Sequence, residues 1–541
     1  MKKLFFVIGF LLLFGNAYSQ YNLVWYRNQQ NLFHLNENPS NKSLTIDSLE
    51  NIYTVYYSID SANIVQLITT KYSYSGEHIW SRTHGIKIGS GIGDYPCLIK
   101  KLHNNKIAVL YNFIDENNHN KIGLLIYDAD GLLIYNTKYK INSNEDSFVN
   151  QFDIDKSDNI YITGYSNGGY SKFITLKFNS SCNLLWEKIF AEPSQGFDIV
   201  TDSLGNVYIC GAADTNSLLK TYMMTVKYDN SGVLKWRKFY GYQNSGVSGL
   251  DQATQIKLDD SLNVIIGGSC FTNSYFQTLA KYKPNGELCW VKLNTSMMGT
   301  CNITTDSKCN IYVSGYREGL PGYILKYSPG GILKTTFSSS TDYVHIIKYF
   351  KGKYLYSAGN KLRGTITQRD FYFSLLDTNL NTVESHTLSI DSSTSNHYSS
   401  MEVDLKGNVF LSGVCYYENI YPPHYEFTTV KLSQPVGIQN ISNKIPDRYS
   451  LSQNYPNPFN PNTIIRFQIK GMSSPHVLGG DLITLKIYDI LGKEVATPVN
   501  EKLQPGEYEV TFDGSGLTSG IYFYRLTCGD FTQTKRMLLI K

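Results

Sequence analysis

Along the chain, apolar and polar positions alternate in short runs that end in Asp, Asn, Gly or Pro, and no window sustains a 3.6-residue period. This pattern predicts many short strands, turns between them and few helices. One phrase recurs: Asp, three residues, Asn, an aliphatic residue, an aromatic or aliphatic one, then often Gly. It reads DSLENIY from Asp47, DKSDNIYITG from Asp155, DSLGNVYICG from Asp202, DDSLNVIIGG from Asp259, DSKCNIYVSG from Asp306 and DLKGNVFLSG from Asp404. Degenerate copies from Leu102 and Phe350 bring the total to eight. Their spacings of about 43 to 57 residues suit an array of repeated β units.

Each copy has a second half: KYSYSGEHIW from Lys71, KFNSSCNLLW from Lys177, KYDNSGVLKW from Lys227 and KYKPNGELCW from Lys281, with nine residues from Lys to Trp in all four. IYDADGLLIY from Ile126 and KYSPGGILKT from Lys326 keep the spacing without the Trp. Trp80, Trp186, Trp236 and Trp290 are thus four of the five tryptophans. The fifth, Trp25 in NLVWYR, precedes the first repeat with no lysine half ahead of it, while the last repeat reads FTTVKLS from Phe427 and stops. The two fragments complete one unit, which is what closure of a ring requires when an N-terminal strand enters the last sheet.

The expectation is therefore an all-β fold, an eight-bladed β-propeller with seven blades as the fallback. An open solenoid of the same repeats is the rival, and it leaves the split unit unexplained. Within a blade, the Asp-x-x-x-Asn segment is a hairpin turn, since Asp bonds the backbone ahead of it and Gly or Asn at the tip tolerates positive φ. The apolar run that follows is an inner strand. Gly164, Gly211, Gly268, Gly315 and Gly413 are expected where blades approach closely, and the five tryptophans as blade-packing residues. The repeats resemble the short β-propeller repeats of exported bacterial proteins over about residues 21–433, a resemblance that implies fold more than function.

Composition agrees. Of 541 residues, 43 are Tyr and 43 Gly, and charged residues make up 17%, against a usual value of about 25%. A net charge of +4 over this length gives no basic footprint and argues against a nucleic-acid partner. Lys2 and Lys3 precede an apolar run from Leu4 to Gly15. At about 12 residues it is shorter than the roughly 20 of a membrane span, and it reads as a signal peptide, residues 1–19. The small residues Ala17 and Ser19 place cleavage between Ser19 and Gln20, which implies the Sec export machinery as a partner. No Cys follows for a lipid anchor, and no later run is long enough to make a transmembrane segment in the mature chain. The nine cysteines form no zinc-like spacing and mostly fall in apolar stretches, where they serve as small core residues. A disulfide such as Cys301 with Cys309 stays open at this stage.

The propeller region is taken as residues 20–433, a linker as 434–449 and a separate domain as 450–541. The last contains LSQNYPNPFNPNTIIRFQI, LITLKIYDI, GEYEVTF, GIYFYRL and TQTKRMLLIK, which predict about seven short strands and an immunoglobulin-like sandwich. The NPFNP string (Asn457, Pro458, Phe459, Asn460, Pro461), Gly492, Lys493 and Glu494 in KIYDILGKEV, the L-x-P-G-x-Y stretch from Leu503 and LTSGIYFYRL with Gly520 and Tyr522 follow in order. With the terminal KRMLLIK, which carries Lys535 and Arg536, they resemble the type A C-terminal sorting domain of type IX secretion cargo. The resemblance implies passage through the periplasm, recognition by an outer-membrane translocon, and a destination outside the cell or on its surface. GMSSPHVLGGD is an insertion relative to that pattern.

No chemistry-bearing motif stands out. There is no HExxH, no nucleophile elbow and no phosphate-binding glycine loop, since Gly89, Gly91 and Gly93 are not followed by a helical pattern. The acidic strings at Asp128 and Asp153 lack the ligand series of a calcium loop and coincide with the repeat's turns. Catalytic, cofactor and metal residues are therefore unassigned. The functional reading is a secreted or cell-surface cargo whose propeller binds a surface glycan or protein or acts as a scaffold. The alternative is an extracellular carbohydrate-active hydrolase or lyase with paired carboxylates at the propeller channel. A quinoprotein dehydrogenase reading, suggested by Gly four residues before Trp, finds no quinone pocket.

Overall fold

The computed structural model describes residues 22–540 apart from 33–41, 60–64, 87–96, 142–143, 215–220, 242–249, 272–273, 296, 298, 318–319, 339–341, 351, 353, 364, 391–392, 394, 419–423, 434–438, 443–445, 472–480, 504 and 515–516. The expected signal peptide, with Ser19 and Gln20, lies outside the described residues. Among the described residues there are strands and turns and no helix. The chain divides into two compact units, Leu23–Leu432 and Ser433–Lys541.

Among the described residues of the first unit, six sheets have four strands and one has seven. The seven-stranded sheet is two four-stranded arrays that share one 18-residue strand, Leu184–Thr201, whose first half pairs with Ser171–Phe178 and whose second half pairs with Val207–Asp214. Every array runs in chain order except one. There Asn22–Leu32, from the start of the chain, lies beside His424–Ser433, followed by Val409–Tyr417 and Ser395–Val403. The split repeat is thus joined in one sheet.

The repeat's turn works through its aspartate. At Asp47, Oδ1 accepts the N–H groups of Leu49 and Asn51 at 2.8 and 2.9 Å, while Oδ2 accepts the Asn51 amide at 2.8 Å and the Tyr53 hydroxyl at 3.0 Å. Asp155, Asp202 and Asp306 repeat this set, with Tyr161, Tyr208 and Tyr312 as the phenols. The Asn of the repeat is therefore there to hold the Asp, which in turn satisfies the backbone of the turn.

The glycines expected between blades have a different task. A Cβ on Gly164, Gly211 or Gly268 would stand 1.9 Å from the carbonyl oxygen of Phe148, Gln195 or Gln252, which belongs to the leading strand of the same sheet. Those strands carry β-bulges at Val149/Gln151, Gly196/Asp198 and Ala253/Gln255. Each bulge drives a carbonyl into the neighbouring strand, and only glycine leaves room for it. Gly315 and Gly413 meet the carbonyls of Gly299 and His397 in the same way, and Gly413 also meets Phe371 of the preceding sheet.

The eight leading strands are tied to one another in sequence. The Ile99 N–H donates to the Lys42 carbonyl at 2.9 Å. Lys100 pairs with Asp153 at 2.5 Å, and Asn150 donates to the Gly196 carbonyl at 2.7 Å. The Ile256 N–H donates to Asp198 at 3.0 Å and Thr254 to the Thr300 carbonyl at 3.2 Å. The Ile347 N–H donates to Asn302 at 3.3 Å, and Lys348 pairs with Glu402 at 2.7 Å. The Ser399 and Ser43 hydroxyls then meet at 2.7 Å, which returns the circuit to its start. Apolar core fills the spaces between neighbouring sheets: Ile107, Val109 and Tyr127 pack with Tyr53, Val55 and Trp80, and Trp25, Phe410, Leu44 and Ile52 cluster between the last sheet and the first.

The second unit has two four-stranded sheets. One orders Gln439–Ser442, Gly506–Asp513, Asn462–Ile469 and Ser450–Leu451; the other orders Glu494–Leu503, Asp481–Tyr488, Gly520–Cys528 and Phe531–Leu539. Eight strands stand where about seven were expected, two of them short. Both sheets contribute to one buried cluster that includes Ile465, Phe467, Val510, Leu485, Tyr524 and Met537.

Among the described residues Cys309 is in no disulfide, so its pairing with Cys301 is not formed. Cys182, Cys210, Cys270, Cys415 and Cys528 are buried.

Candidate functional site

The five tryptophans share one contact. The indole N–H of Trp80 donates to the Ala129 carbonyl at 3.2 Å, Trp186 to Asn230 at 3.1 Å, Trp236 to Pro284 at 3.0 Å and Trp290 to Pro329 at 3.1 Å, each carbonyl lying in a hairpin of the next sheet. The lysine nine residues earlier uses the same carbonyl: Lys71 at 2.8 Å, Lys177 at 3.0 Å, Lys227 at 3.1 Å and Lys281 at 3.4 Å. At Tyr74, in the first sheet, the two donors are Trp25 at 3.2 Å and Lys431 at 3.0 Å. The two ends of the repeat region thus supply together what a single copy supplies elsewhere. The hairpin glycine of the next sheet lies against each indole, so that a Cβ on Gly76 would be 2.6 Å from Trp25.

A second constellation was not anticipated. In every leading strand, the residue two before the repeat's turn faces the second or third residue of the strand that follows: Thr45 with Tyr53, Lys100 with Ala108, Asp153 with Tyr161, Val200 with Tyr208, Lys257 with Ile265, Thr304 with Tyr312, Lys348 with Tyr356 and Glu402 with Phe410. Five of the eight are charged. Lys100 with Asp153 and Lys348 with Glu402 are neighbours in the circuit and form its two ion pairs. Lys257 stands between Val200 and Thr304 and has no ion-pair or hydrogen-bond partner for its ammonium among the described residues.

Two further groups join this layer. Asp198 is buried, and its two oxygens accept the N–H groups of Ile199 and Ile256, each at 3.0 Å. Burial raises its pKa against the pull of Lys42 and those two N–H groups. Lys42 feels Lys100, Asp198, Asp153 and Lys257, from four other leading strands, and burial first and Lys100 second push its ammonium down to about 8. Burial also lowers Lys257. Its side chain nevertheless has open surface. Open surface on a group hemmed in by protein is what a side chain facing the middle of the circuit would show. Burial would raise Asp153 too, but Lys100, Lys42 and the Thr201 N–H outweigh it and hold the carboxyl below the usual range. Both oxygens of Asp153 are in use, Oδ1 by Lys100 and Oδ2 by the Thr201 N–H at 2.8 Å and hydroxyl at 3.0 Å.

In the second unit, the NPFNP string lies against the last strand. Phe459 is buried; its N–H donates to the Leu538 carbonyl at 2.9 Å and its carbonyl accepts the Ile540 N–H at 3.0 Å. The Asn457 side chain accepts the Leu538 N–H at 2.9 Å. Pro458 and Asn460 are exposed and Pro461 half-buried. Gly492 and Lys493 close a turn on Asp489, whose Oδ1 accepts the N–H groups of Leu491 and Lys493, both at 2.9 Å, and Glu494 pairs with Lys486 at 2.9 Å. The Tyr522 hydroxyl donates to the Thr518 carbonyl at 2.8 Å, two residues before Gly520. Arg536 is exposed and Lys535 half-buried on the last strand. The structure thus gathers NPFNP with the terminal strand and keeps the Gly492 turn at a separate place.

No curated protein matches the sequence. Solved structures similar to the chain include the Dos1 propeller, with 12% identity, a TM-score of 0.46 and coverage of 75% of this chain and 95% of that one. A polysaccharide lyase of family PL25, an ulvan lyase, has 10% identity, a TM-score of 0.43 and coverage of 74% and 95%. PorZ of Porphyromonas gingivalis, a surface component of the type IX secretion system, has 10% identity, a TM-score of 0.28 and coverage of 97% and 100%. The model of the secretion system C-terminal sorting domain matches residues 453–541. That stretch is such a domain, of the Por secretion type, and it marks the chain as cargo of type IX secretion.

Proposed function

We propose that residues 20–433 form a closed eight-bladed β-propeller that works outside the cell as a binding or scaffold module, carried there by the sorting domain. The reading is supported by the eight leading strands tied in a circuit, and by the Trp25 and Lys431 contacts to Tyr74, which repeat between last and first sheets what each other Lys and Trp pair does along the chain. In this reading the five tryptophans are blade-packing residues. Residues 1–19 are a signal peptide used by the Sec machinery, 434–449 a linker, and 450–541 an immunoglobulin-like sandwich read by the outer-membrane translocon. Two sheets over one core are consistent with the last.

The state of the carboxylates carries the choice of binding over catalysis. A glycosidase needs one carboxyl free to give a proton and another free to attack or to activate water. Asp153 and Asp198 spend both oxygens on hydrogen bonds within the protein, and Glu402 is paired with Lys348. The hydrolase or lyase alternative would have to free them first. Deleting residues 450–541 and following the protein by cell fractionation tests the export half: retention inside the outer membrane is expected, and normal surface delivery would overturn it. Surface glycans and surface proteins are the ligand classes to screen for the other half.

A further inference from the structure

We propose that the tight-turn end of the first unit docks on a bilayer surface with anionic headgroups. The inference goes beyond the binding-module reading and does not need a closed ring.

The argument starts from where apolar side chains meet water. In each four-stranded array, tight turns join the first strand to the second and the third to the fourth at one end, while the second-to-third connection and the passage to the next array lie at the other. Neighbouring arrays bring their turn ends together: Ser48 donates to Asn105 at 3.3 Å, the His103 N–H to Asp158 at 2.6 Å, and Lys406 pairs with Glu50 at 3.1 Å. Among the described residues of this unit, sixteen of the twenty-one exposed large apolar side chains stand at this end, in the turns or on the fourth strand ahead of the tryptophan position. Leu49, Leu204 and Leu405, in three of the aspartate turns, are 77%, 71% and 77% exposed. Only Tyr170 and Leu250 stand at the other end. Single exposed apolar side chains are ordinary, but sixteen gathered at one end make an interaction surface.

Cations stand beside them. The residue two after each tryptophan is Arg27, Arg82, Lys188, Lys238 or Lys292, and each lies on the hairpin glycine of the next array. The Nε–H groups of Arg27 and Arg82 donate to the Gly76 and Gly131 carbonyls at 2.7 and 2.6 Å. A Cβ on Gly232, Gly286 or Gly331 would stand 3.0, 3.0 or 2.7 Å from Cε of Lys188, Lys238 or Lys292. At three of the five places the residue after that glycine is an exposed aliphatic: Leu132, Val233 and Ile332. The three lysines have no ion pair among the described residues. Exposed lysines at this end number six among the described residues, against four exposed carboxylates, Glu77, Asp130, Asp260 and Glu287.

This pairing selects the occupant. A bilayer surface takes aliphatic side chains into its acyl boundary and draws Lys and Arg to anionic headgroups, so it uses both members of each pair. A water-soluble polyanion would use the cations and leave the aliphatics in water. A second copy meeting this end face to face would set the cations against cations. The sorting domain takes the chain out of the cell, where an outer leaflet is at hand.

The test is cosedimentation of the full-length protein with vesicles of phosphatidylcholine alone and of phosphatidylcholine with roughly 30% phosphatidylglycerol. Binding to the anionic vesicles, weakened by salt, is expected. The triple variant Leu132→Ser, Val233→Ser, Ile332→Ser and the triple variant Lys188→Gln, Lys238→Gln, Lys292→Gln should each weaken it about tenfold or more. Tyr170→Ser with Leu250→Ser, at the opposite end, should leave it unchanged. Absence of binding to anionic vesicles, equal binding to neutral ones, or equal binding by wild type and both triple variants overturns the proposal. So does a self-associated species, seen by sedimentation velocity without vesicles, that the aliphatic triple dissociates, since it assigns the face to a second copy. Binding of a surface glycan or protein without binding of vesicles would defeat this inference and leave the binding-module reading intact.

Discussion

Lys281 donates to Asp259 across 2.8 Å, with 5% and 0% of the two side chains exposed. The corresponding aspartates at 47, 155, 202 and 306 accept a tyrosine hydroxyl from six residues ahead, but Asp259 has Ile265 there and recruits the lysine instead. Breaking such a pair leaves a buried carboxylate without its cation, held only by the N–H groups of Ser261 and Asn263 and the Asn263 amide. Lys281→Met should therefore cost about 3–5 kcal/mol. Lys227→Met, at a lysine that donates to the Pro284 carbonyl and lies over the Tyr208 ring but has no ion pair among the described residues, should cost about 1.5–3 kcal/mol. Urea unfolding of the two variants decides; equal losses would mean that the ion pair adds nothing.

Gly76 and Gly492 share a positive φ, 81° and 80°, and differ in surroundings. A Cβ on Gly76 meets the Trp25 ring at 2.6 Å, whereas one on Gly492 has nothing within 4 Å. Gly492→Ala should thus cost about 1–2 kcal/mol for the left-handed backbone alone. Gly76→Ala should add a further 1–3 kcal/mol, roughly, for overpacking against the indole. Calorimetric transitions of the two units, each read for its own variant, check the difference.

The lysine pKa values set a pH dependence. A lysine whose folded pKa is about 8 against 10.5 unfolded penalises the folded state while it is protonated in both. The penalty is full below about pH 8 and disappears as pH rises toward the unfolded value. Stability should therefore climb from about pH 8 to pH 10, and Lys42→Met should flatten the climb. Tyr53, Tyr161 and Tyr312 act the other way: burial first, then their aspartates, raise them, so the unfolded chain ionises first and stability falls above about pH 10. Melting temperatures at intervals from pH 7 to 11 test both arms. An unchanging melting point between pH 8 and 9.5 would contradict the lysine arm.

Tyr524 anchors the segment that leads into NPFNP. Its hydroxyl accepts the Asn454 N–H and donates to the Ser452 carbonyl, both at 2.8 Å. Tyr524→Phe leaves both backbone groups unpaired and should destabilise the sorting domain by about 2 kcal/mol. If the translocon reads the folded domain, fractionation of this variant should show a larger periplasmic share.

The repeat region was legible in sequence because each unit writes its chemistry at fixed spacing. Asp47 and Asn51 meet as their four-residue separation required, and Trp25 sits where the truncated last repeat left a vacancy. Gly164 was misread because a glycine's neighbours depend on a bulge in the preceding strand, and no residue type announces a bulge. The charged layer was missed for another reason. Thr45, Lys100, Asp153, Val200, Lys257, Thr304, Lys348 and Glu402 have no common residue type, so no motif contains them. Their common feature is position, two residues ahead of each turn, and reading that column down the eight repeats exposes the charges. Lys42 and Asp198 lie off the column and needed the fold to bring them near.

The joined sheet of the first and last strands also orders events in time. Asn22–Leu32 finds its neighbour only in His424–Ser433. A ribosome or a translocation pore delivering the amino end first releases that strand some 400 residues before the strand that receives it, so the early arrays wait with an open flank. The latch can shut only when the receiving strand has emerged, immediately ahead of the domain that addresses the chain for export. Folding of the cargo and completion of its address label are thereby made nearly simultaneous.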